Sequence, residues 1–214
     1  QFNVLANNLN YKSTIDKVKE LSPDFISFQE VSLEWAESLE KQLSANYPFS
    51  KVVRQANSHQ GIAVFSKHPL IDTQVVLREG TANITGKINV ENQLVNFLTM
   101  HTRSPTSRER WKQRNAHIEW AKEFVNEQGG EFLVLGDFNT VPWDRRLKKF
   151  IASTDLMDSR KKLTPTYPTY NPFFAQIPID YIFHSSGISC SSLLAVEITS
   201  DHKAILGVFQ LGVL

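Results

Sequence analysis

A chain of 214 residues with 41% hydrophobic side chains is long enough to bury a sizeable core, and its composition is ordinary for a globular protein. Lys+Arg 23 against Asp+Glu 22 leaves a formal charge of +1, which excludes a strongly basic nucleic-acid binder but leaves room for a local patch. One cysteine excludes an internal disulfide framework, and no apolar run is long enough to span a membrane.

Phe2 to Asn7 reads as a short strand ending in polar residues. Ser13 or Thr14 is placed to cap a helix that carries Ile15, Val18 and Leu21 on one face, and Ser22-Pro23-Asp24 stops it. Phe25 to Phe28 is a second buried strand, running into Gln29-Glu30. Strand, helix and strand in this space predict a βαβ unit with a parallel pair. Ser32 caps a further helix with Trp35, Leu39 and Leu43 along one stripe. From Phe49 the pattern turns to strands: Lys51–Arg54, Gly61–Ser66, Leu70–Leu77, Asn83–Val90 and Leu94–Met100, with a hairpin turn at Glu91-Asn92-Gln93. The last of these runs into His101-Thr102-Arg103-Ser104-Pro105. Ser107 to Glu127 is the longest helical segment, with Trp111, Ile118, Ala121 and Val125 as its expected buried stripe. Arg108, Arg110, Lys112 and Arg114 near its start read as a solvated face or as a surface for anions.

Phe132-Leu133-Val134-Leu135 then reads as a strand buried on both faces, followed by Gly136-Asp137-Phe138-Asn139. The glycine permits a tight turn or a close approach. Side chains two apart on extended backbone share a side, so Asp137 and Asn139 face one spot. Alone they fit an Asx turn equally well. A short helix to Ala152 follows, then an irregular stretch from Leu156 to Phe174 with Tyr167, Tyr170, Phe173 and Phe174. That loop is either packed down or a stacking surface beside a site. Ile177–Phe183 is a strand carrying Asp180. Ile188–Ile198 and Ala204–Phe209 close the sheet around the polar loop Ser200-Asp201-His202. One domain over residues 1–214 is expected, cut from a longer chain since it opens on Gln1.

Six strand ends thus deliver polar groups: Asn7, Glu30, His101, Asp137 with Asn139, Asp180, and Asp201 with His202. Carboxylates, amides and two histidines are the inventory of an oxygen-ligand metal site with an acid/base pair. Clustered cysteines and His-x-x-x-His are absent, which argues against zinc.

The order of these pieces resembles the endonuclease/exonuclease/phosphatase superfamily, the deoxyribonuclease I-like fold. Asn7, Gln29-Glu30 after Pro23-Asp24-Phe25-Ile26, Gly136-Asp137-Phe138-Asn139, Ile179-Asp180-Tyr181 and Ser200-Asp201-His202 carry the resemblance. It implies a four-layer α-β-β-α sandwich of two mixed sheets with helices outside, and hydrolysis of phosphate esters with Mg²⁺, or Mn²⁺ in its place. By resemblance, Glu30 is the main metal ligand, with Asn7 beside it and Asp201 supporting the metal side. Asn3 rivals Asn7, which is preferred because it ends the strand. Asp137 aligns and deprotonates the attacking water, Asn139 orients phosphate or water, and His101 stabilises the charged transition state. His202 contacts the phosphate and is held by Asp180. The substrate stays open among nucleic acid, a phospholipid or inositol phosphate head group, and a nucleotide. A monomer without an obligate protein partner is expected. Leu5-Ala6-Asn7 followed by Pro23-Asp24 is most similar to bacterial uncharacterised members, some with membrane segments upstream, so an extracytoplasmic or tethered origin stays open. The competing reading is a non-catalytic metal- or phosphate-binding module on the same fold.

Overall fold

The computed structural model describes residues 1–54 and 59–212. The elements are β1 (Phe2–Asn3), α1 (Tyr11–Leu21), β2 (Phe25–Gln29), α2 (Leu33–Leu43), β3 (Phe49–Val53), β4 (Ile62–Ser66), β5 (Leu70–Arg78), β6 (Thr81–Val90), β7 (Gln93–His101), α3 (Arg108–Gln128), β8 (Phe132–Asp137), α4 (Arg145–Ala152), β9 (Leu156–Asp158), β10 (Asp180–Ser185), β11 (Ile188–Val196) and β12 (Ala204–Leu211).

One sheet has the order β1-β2-β4-β3, and the other β5-β6-β7-β8-β10-β9. The β1–β2 pair is parallel, as the βαβ spacing predicts. The hairpin β11–β12 extends the first sheet past β1, because Gln1 N donates to Ile205 O (2.9 Å) and Ile205 N donates to Gln1 O (3.0 Å). Apolar periodicity decides the layers. Ile15 and Val18 of α1 and Trp35, Leu39 and Leu43 of α2 pack on the outer face of the first sheet, over Phe2, Ile26 and Phe28. Ile118, Ala121 and Val125 of α3, with Leu147 and Phe150 of α4, cover Val134, Tyr181 and Phe183 of the second. Between the sheets, Ile62 and Val64 meet Ile84 and Phe97, while Leu135, Ile182 and Ile205 form a neighbouring cluster. The result is the expected α-β-β-α sandwich. Among the described residues, no helix is long and apolar enough to cross a membrane.

Several local expectations change. The first strand ends at Asn3, because Leu5 takes a left-handed φ of 59° and turns the chain away. Asn7 therefore sits in an exposed turn and does not end a strand. α1 begins at Tyr11, with Asn10 at its cap position and no side-chain cap, so neither Ser13 nor Thr14 starts it. Trp111 is 44% exposed and lies under the Arg146 guanidinium, since burial along α3 begins only at Arg114. The stretch read as irregular contains β9, whose three residues pair with β10.

Gly136 shows why the residue before Asp137 lacks a side chain. Its φ is +148°, and a Cβ there would lie 1.8 Å from Met100 O on the paired strand β7. Gly136→Ala should cost at least about 3 kcal/mol, or roughly 6–12 °C in melting temperature. A thermal melt within 2 °C of wild type, on a scale of roughly 2–4 °C per kcal/mol, would refute this reading of the β7–β8 contact.

His117, fully buried on α3, anchors the helix to β6: its Nε2 faces Asn83 Oδ1 at 2.8 Å and its Nδ1 faces Thr81 Oγ1 at 3.3 Å. Asn83 Nδ2 is spent on the carbonyls of Val76 and Thr81, so Asn83 Oδ1 needs a donor and the His117 proton is assigned to Nε2. Burial first, then His101, Arg78 and Arg103, push the His117 pKa down to about 3. The unfolded chain takes up a proton near pH 6.5 while the folded one does not. Stability from this site is therefore present above pH 6.5 and lost as the pH falls, by up to ~1.4 kcal/mol per pH unit. Urea denaturation at pH 7 and pH 5 should show that loss in wild type and a smaller one in His117→Gln. Identical losses would contradict it.

Candidate active site

The ends of β1, β2, β7, β8 and β10 and the loop before β12 meet at one edge of the sandwich. There a cavity of about 380 Å³ is lined by Glu30, His59, His101, Asp137, Asn139, Tyr167, Asp201 and His202, and Gln60, Arg103 and Arg110 complete its lining. The parallel β7–β8 pairing places His101 opposite Asp137, and the antiparallel β8–β10 pairing places Asp180 opposite Asp137. Register alone thus brings three of the expected groups together.

Asp137 is fully buried at the centre. Its Oδ1 accepts from Asn139 N (2.8 Å), and its Oδ2 accepts from Asn3 Nδ2 (3.2 Å). His101 Nε2 and His202 Nε2 each lie 3.7 Å from Asp137 Oδ2. Burial, and then the Asp180 charge, raise the Asp137 pKa to about 8 against the pull of His202. His202 Nδ1 pairs with Asp180 Oδ2 at 2.8 Å. Burial opposes the charged imidazole, but the Asp180, Asp137 and Asp201 carboxylates win and raise His202 to about 10. Asp180 itself is held below the ordinary carboxylate range: burial pushes it up, and His202, Thr166 and Gln1 outweigh that. The resting arrangement is His202⁺ against Asp180⁻, beside an Asp137 that keeps its proton.

His101 behaves oppositely. Burial holds it below the usual histidine value despite Glu30. Its Nδ1 is buried without a hydrogen-bond partner. A bare acceptor there costs less than a bare N–H, so the proton is assigned to Nε2, facing Asp137 and the cavity. Asn139 is half-buried with a left-handed φ of 46°, and it anchors one amide hydrogen on Thr102 O (2.9 Å). Phe138, between the two polar residues, points the other way into the core under α3 and α4.

Glu30 also takes a left-handed φ, +60°, which for glutamate is strained backbone. Its Oε1 accepts from Asn3 Nδ2 (3.2 Å) and its Oε2 from Ala6 N (3.3 Å), with His59 Nδ1 3.1 Å away. Asn3, not Asn7, is therefore the asparagine beside Glu30, and its one amide bridges Glu30 to Asp137. The alternation of Gln1 and Asn3 with the core residues Phe2 and Val4 is the signal that marks Asn3 as facing the site. Asp201 is half-buried; burial first, and the Glu30 charge among the rest, raise its pKa.

Four further side chains take part. Gln1 Nε2 donates to Asp180 Oδ1 (2.9 Å) and to Gln29 Oε1 (2.5 Å), and Gln29 Nε2 donates to Ser27 Oγ (2.6 Å). This buried chain ties Asp180 to the interior of both sheets. The Tyr167 ring packs against the His202 ring at a tilt of 40°, with 4.6 Å between centroids, so one residue of the aromatic loop is packed into the site. Phe173 and Phe174 of that loop are exposed.

The donors fit a hard divalent cation. Glu30 and Asp201 offer carboxylate oxygens to the cavity, and burial first, with neighbouring negative charge adding to it, raises the pKa values of Asp137 and Asp201. Asp137, Asp180 and His202 also have ligand atoms within 4.8 Å of one another. A protonated imidazole does not bind a metal, so with His202 held at about 10 that second group is the poorer site.

No curated protein sequence matches the chain significantly. Solved structures do, as folds. D. rerio TDP2 complexed with a single-strand DNA product superposes with a TM-score of 0.82 at 14% identity, covering 98% of this chain and 96% of that one. A mannosyl-6-phosphatase from Bacteroides thetaiotaomicron VPI-5482 gives 0.74 at 16% identity and 98% coverage of both chains. A Bacteroides thetaiotaomicron endonuclease/exonuclease/phosphatase family protein gives 0.80 at 17% identity, covering 100% of this chain and 96% of that one. The profile described as Endonuclease/Exonuclease/phosphatase family matches residues 1–202, and the chain belongs to that family.

Proposed function

We propose that this protein is a phosphoesterase that uses a divalent cation, Mg²⁺ or Mn²⁺, and an activated water to break a phosphate ester bond. The observation that carries this is the pairing of a buried His202⁺–Asp180⁻ couple with a second carboxylate, Asp137, 3.7 Å from the same imidazole in one open cavity. An acid that can give up or take its proton beside a fixed imidazolium favours proton transfer at the site over binding alone.

Water attacks phosphorus and its proton passes to an ionised Asp137, while the ester P–O bond breaks and its oxygen leaves as an alkoxide that takes a proton from solvent. His202⁺ faces the phosphate oxygens and offsets the charge they gather as the pentacoordinate state forms. Asp180 fixes the His202 tautomer and keeps it charged. His101 presents Nε2–H, and Asn139 its free amide hydrogen, to the same oxygens. Glu30, with Asn3 holding its carboxylate and Asp201 nearby, would hold the cation. When bound, the ion supplies further charge neutralisation at the phosphate and favours ionised Asp137. The family and its neighbours support phosphate ester chemistry.

The metal assignment is tested apart from turnover. Calorimetric titration with Mn²⁺ should show one binding event in wild type that weakens at least about tenfold, ~1.4 kcal/mol, in Glu30→Gln. Unaltered Mn²⁺ affinity in that variant would move the ion away from Glu30.

A further inference from the structure

Among the described residues, one side of the cavity is basic and has no counter-charge. Arg103 and Arg110 line it with Gln60 and Ser104, beyond His101. Arg103 rests on the turn between β5 and β6, its Nε toward Glu79 O and its Nη2 toward Gly80 O, both at 3.4 Å. With its amide oxygen turned to the guanidinium, Gln60 accepts from Arg103 Nη2 (2.8 Å) and donates to Gly80 O (2.7 Å). Gly80 has a φ of +70°, a turn conformation that favours glycine, and its carbonyl is one of the groups on which Arg103 rests. Among the described residues, the Arg110 guanidinium reaches only Thr106 Oγ1, at 3.4 Å.

All these partners are neutral. Among the described residues, no carboxylate lies within 4.0 Å of either guanidinium. The two arginines whose side chains are buried are each paired: Arg114 has Asp144 at 3.2 Å and Arg160 has Asp158 at 2.5 Å. Burial first, and then the charge of Arg110, hold Arg103 below the ordinary arginine value. Two like charges gathered on one cavity wall without a counter-charge form a site for an anion. The scissile phosphate already has His202, His101 and Asn139.

We infer that Arg103 and Arg110 form a subsite for a second phosphate on the same substrate molecule, so that the protein selects bisphosphorylated over monophosphorylated compounds. The inference rests on the reading above for the place of the scissile group. The second phosphate belongs either to a nucleotide or to a phosphorylated polyol, and the probes separate the two.

The test is calorimetry with the Asp137→Asn protein in Mg²⁺, which slows turnover by about 10²–10⁴-fold. Thymidine 3′,5′-bisphosphate is compared with thymidine 5′-phosphate, and inositol 1,4-bisphosphate with inositol 1-phosphate. In at least one pair the bisphosphate should bind at least about tenfold tighter. That ratio should fall toward one when Arg103→Gln or Arg110→Gln is added, and recover in part with Arg103→Lys. Arg110 is exposed, so its substitution keeps the test independent of folding. Ratios near one for both pairs, or a ratio that neither glutamine substitution changes, would overturn the subsite. The catalytic reading fails separately: if wild type releases no nitrophenol from thymidine 3′-phosphate 5′-(p-nitrophenyl phosphate) while the affinity ratio stands, the subsite holds and the hydrolase assignment does not.

Discussion

Asp137→Asn should lower turnover by about 10²–10⁴-fold and at the same time raise the melting temperature of the metal-free protein at neutral pH. The two effects share one cause. Asp137 is fully buried, its pKa stands at about 8 in the folded protein, and burial and Asp180 put it there. An unfolded aspartate ionises near 3.8, so above that pH the unfolded chain releases a proton that the folded one retains. Folding stability is therefore lost at this position as the pH rises from about 4 toward 8. Asparagine has the shape of the protonated acid, carries no charge at any pH, and keeps an oxygen to accept from Asn139 N or Asn3 Nδ2. Each kcal/mol recovered is worth roughly 2–4 °C. Scanning calorimetry in EDTA at pH 7 measures the gain, and the gain should vanish near pH 4. A variant that loses activity but melts lower at pH 7 would mean that Asp137 stabilises the fold as a charge, contrary to the electrostatics described here.

Asp180→Asn should cost a similar factor in rate and move the alkaline limb of the pH–rate profile by several units. In wild type the imidazolium persists because the carboxylate 2.8 Å from Nδ1 outweighs burial, which alone acts to discharge it. His202 therefore keeps its proton until about pH 10. With asparagine at 180 the main opposing charge is gone, burial dominates, and the imidazole becomes neutral near or below its ordinary value of about 6.5. Activity in the variant should fall with rising pH across the neutral range, where wild type does not. The structural counterpart has the same sign: stability from the His202–Asp180 pair is fully present below pH 6.5 and is lost as the pH rises through about 10. Heteronuclear NMR of the His202 ring checks the charge directly. An imidazole still protonated at pH 8 in Asp180→Asn would contradict the assignment of Asp180 as the residue that holds the charge.

Much of the site is legible in the residues because it lies at strand ends. Four apolar residues before Gly136 mark a strand buried on both faces, and β8 is that strand. The period of two puts Asp137 and Asn139 on one side and Phe138 on the other, and both polar residues line the cavity. Asn3 ranks behind Asn7 in the sequence because the end of β1 is set by the left-handed turn at Leu5, and leucine gives no sign of that conformation. Phe2 and Val4 reach the helix-side core, while Gln1 and Asn3 face the site, so the alternation outranks the terminal run of asparagines as a guide. Tyr167 and the Arg103 cradle were hidden for another reason. Tyr167 meets His202 across a loop without periodicity, and the cradle joins Gln60, the Glu79-Gly80 turn and Arg103 from three separate segments. Contacts of that kind depend on tertiary placement, which no local pattern encodes.

The central claim is a metal-assisted attack of water directed by Asp137. The most direct measurement is hydrolysis of bis-p-nitrophenyl phosphate by wild type and Asp137→Asn, each with Mg²⁺, with Mn²⁺ and with excess EDTA. Release of nitrophenol by wild type that requires the cation, stops in EDTA and falls by at least about 10²-fold in Asp137→Asn is the predicted result. Release that persists in EDTA, or that Asp137→Asn matches, would contradict it.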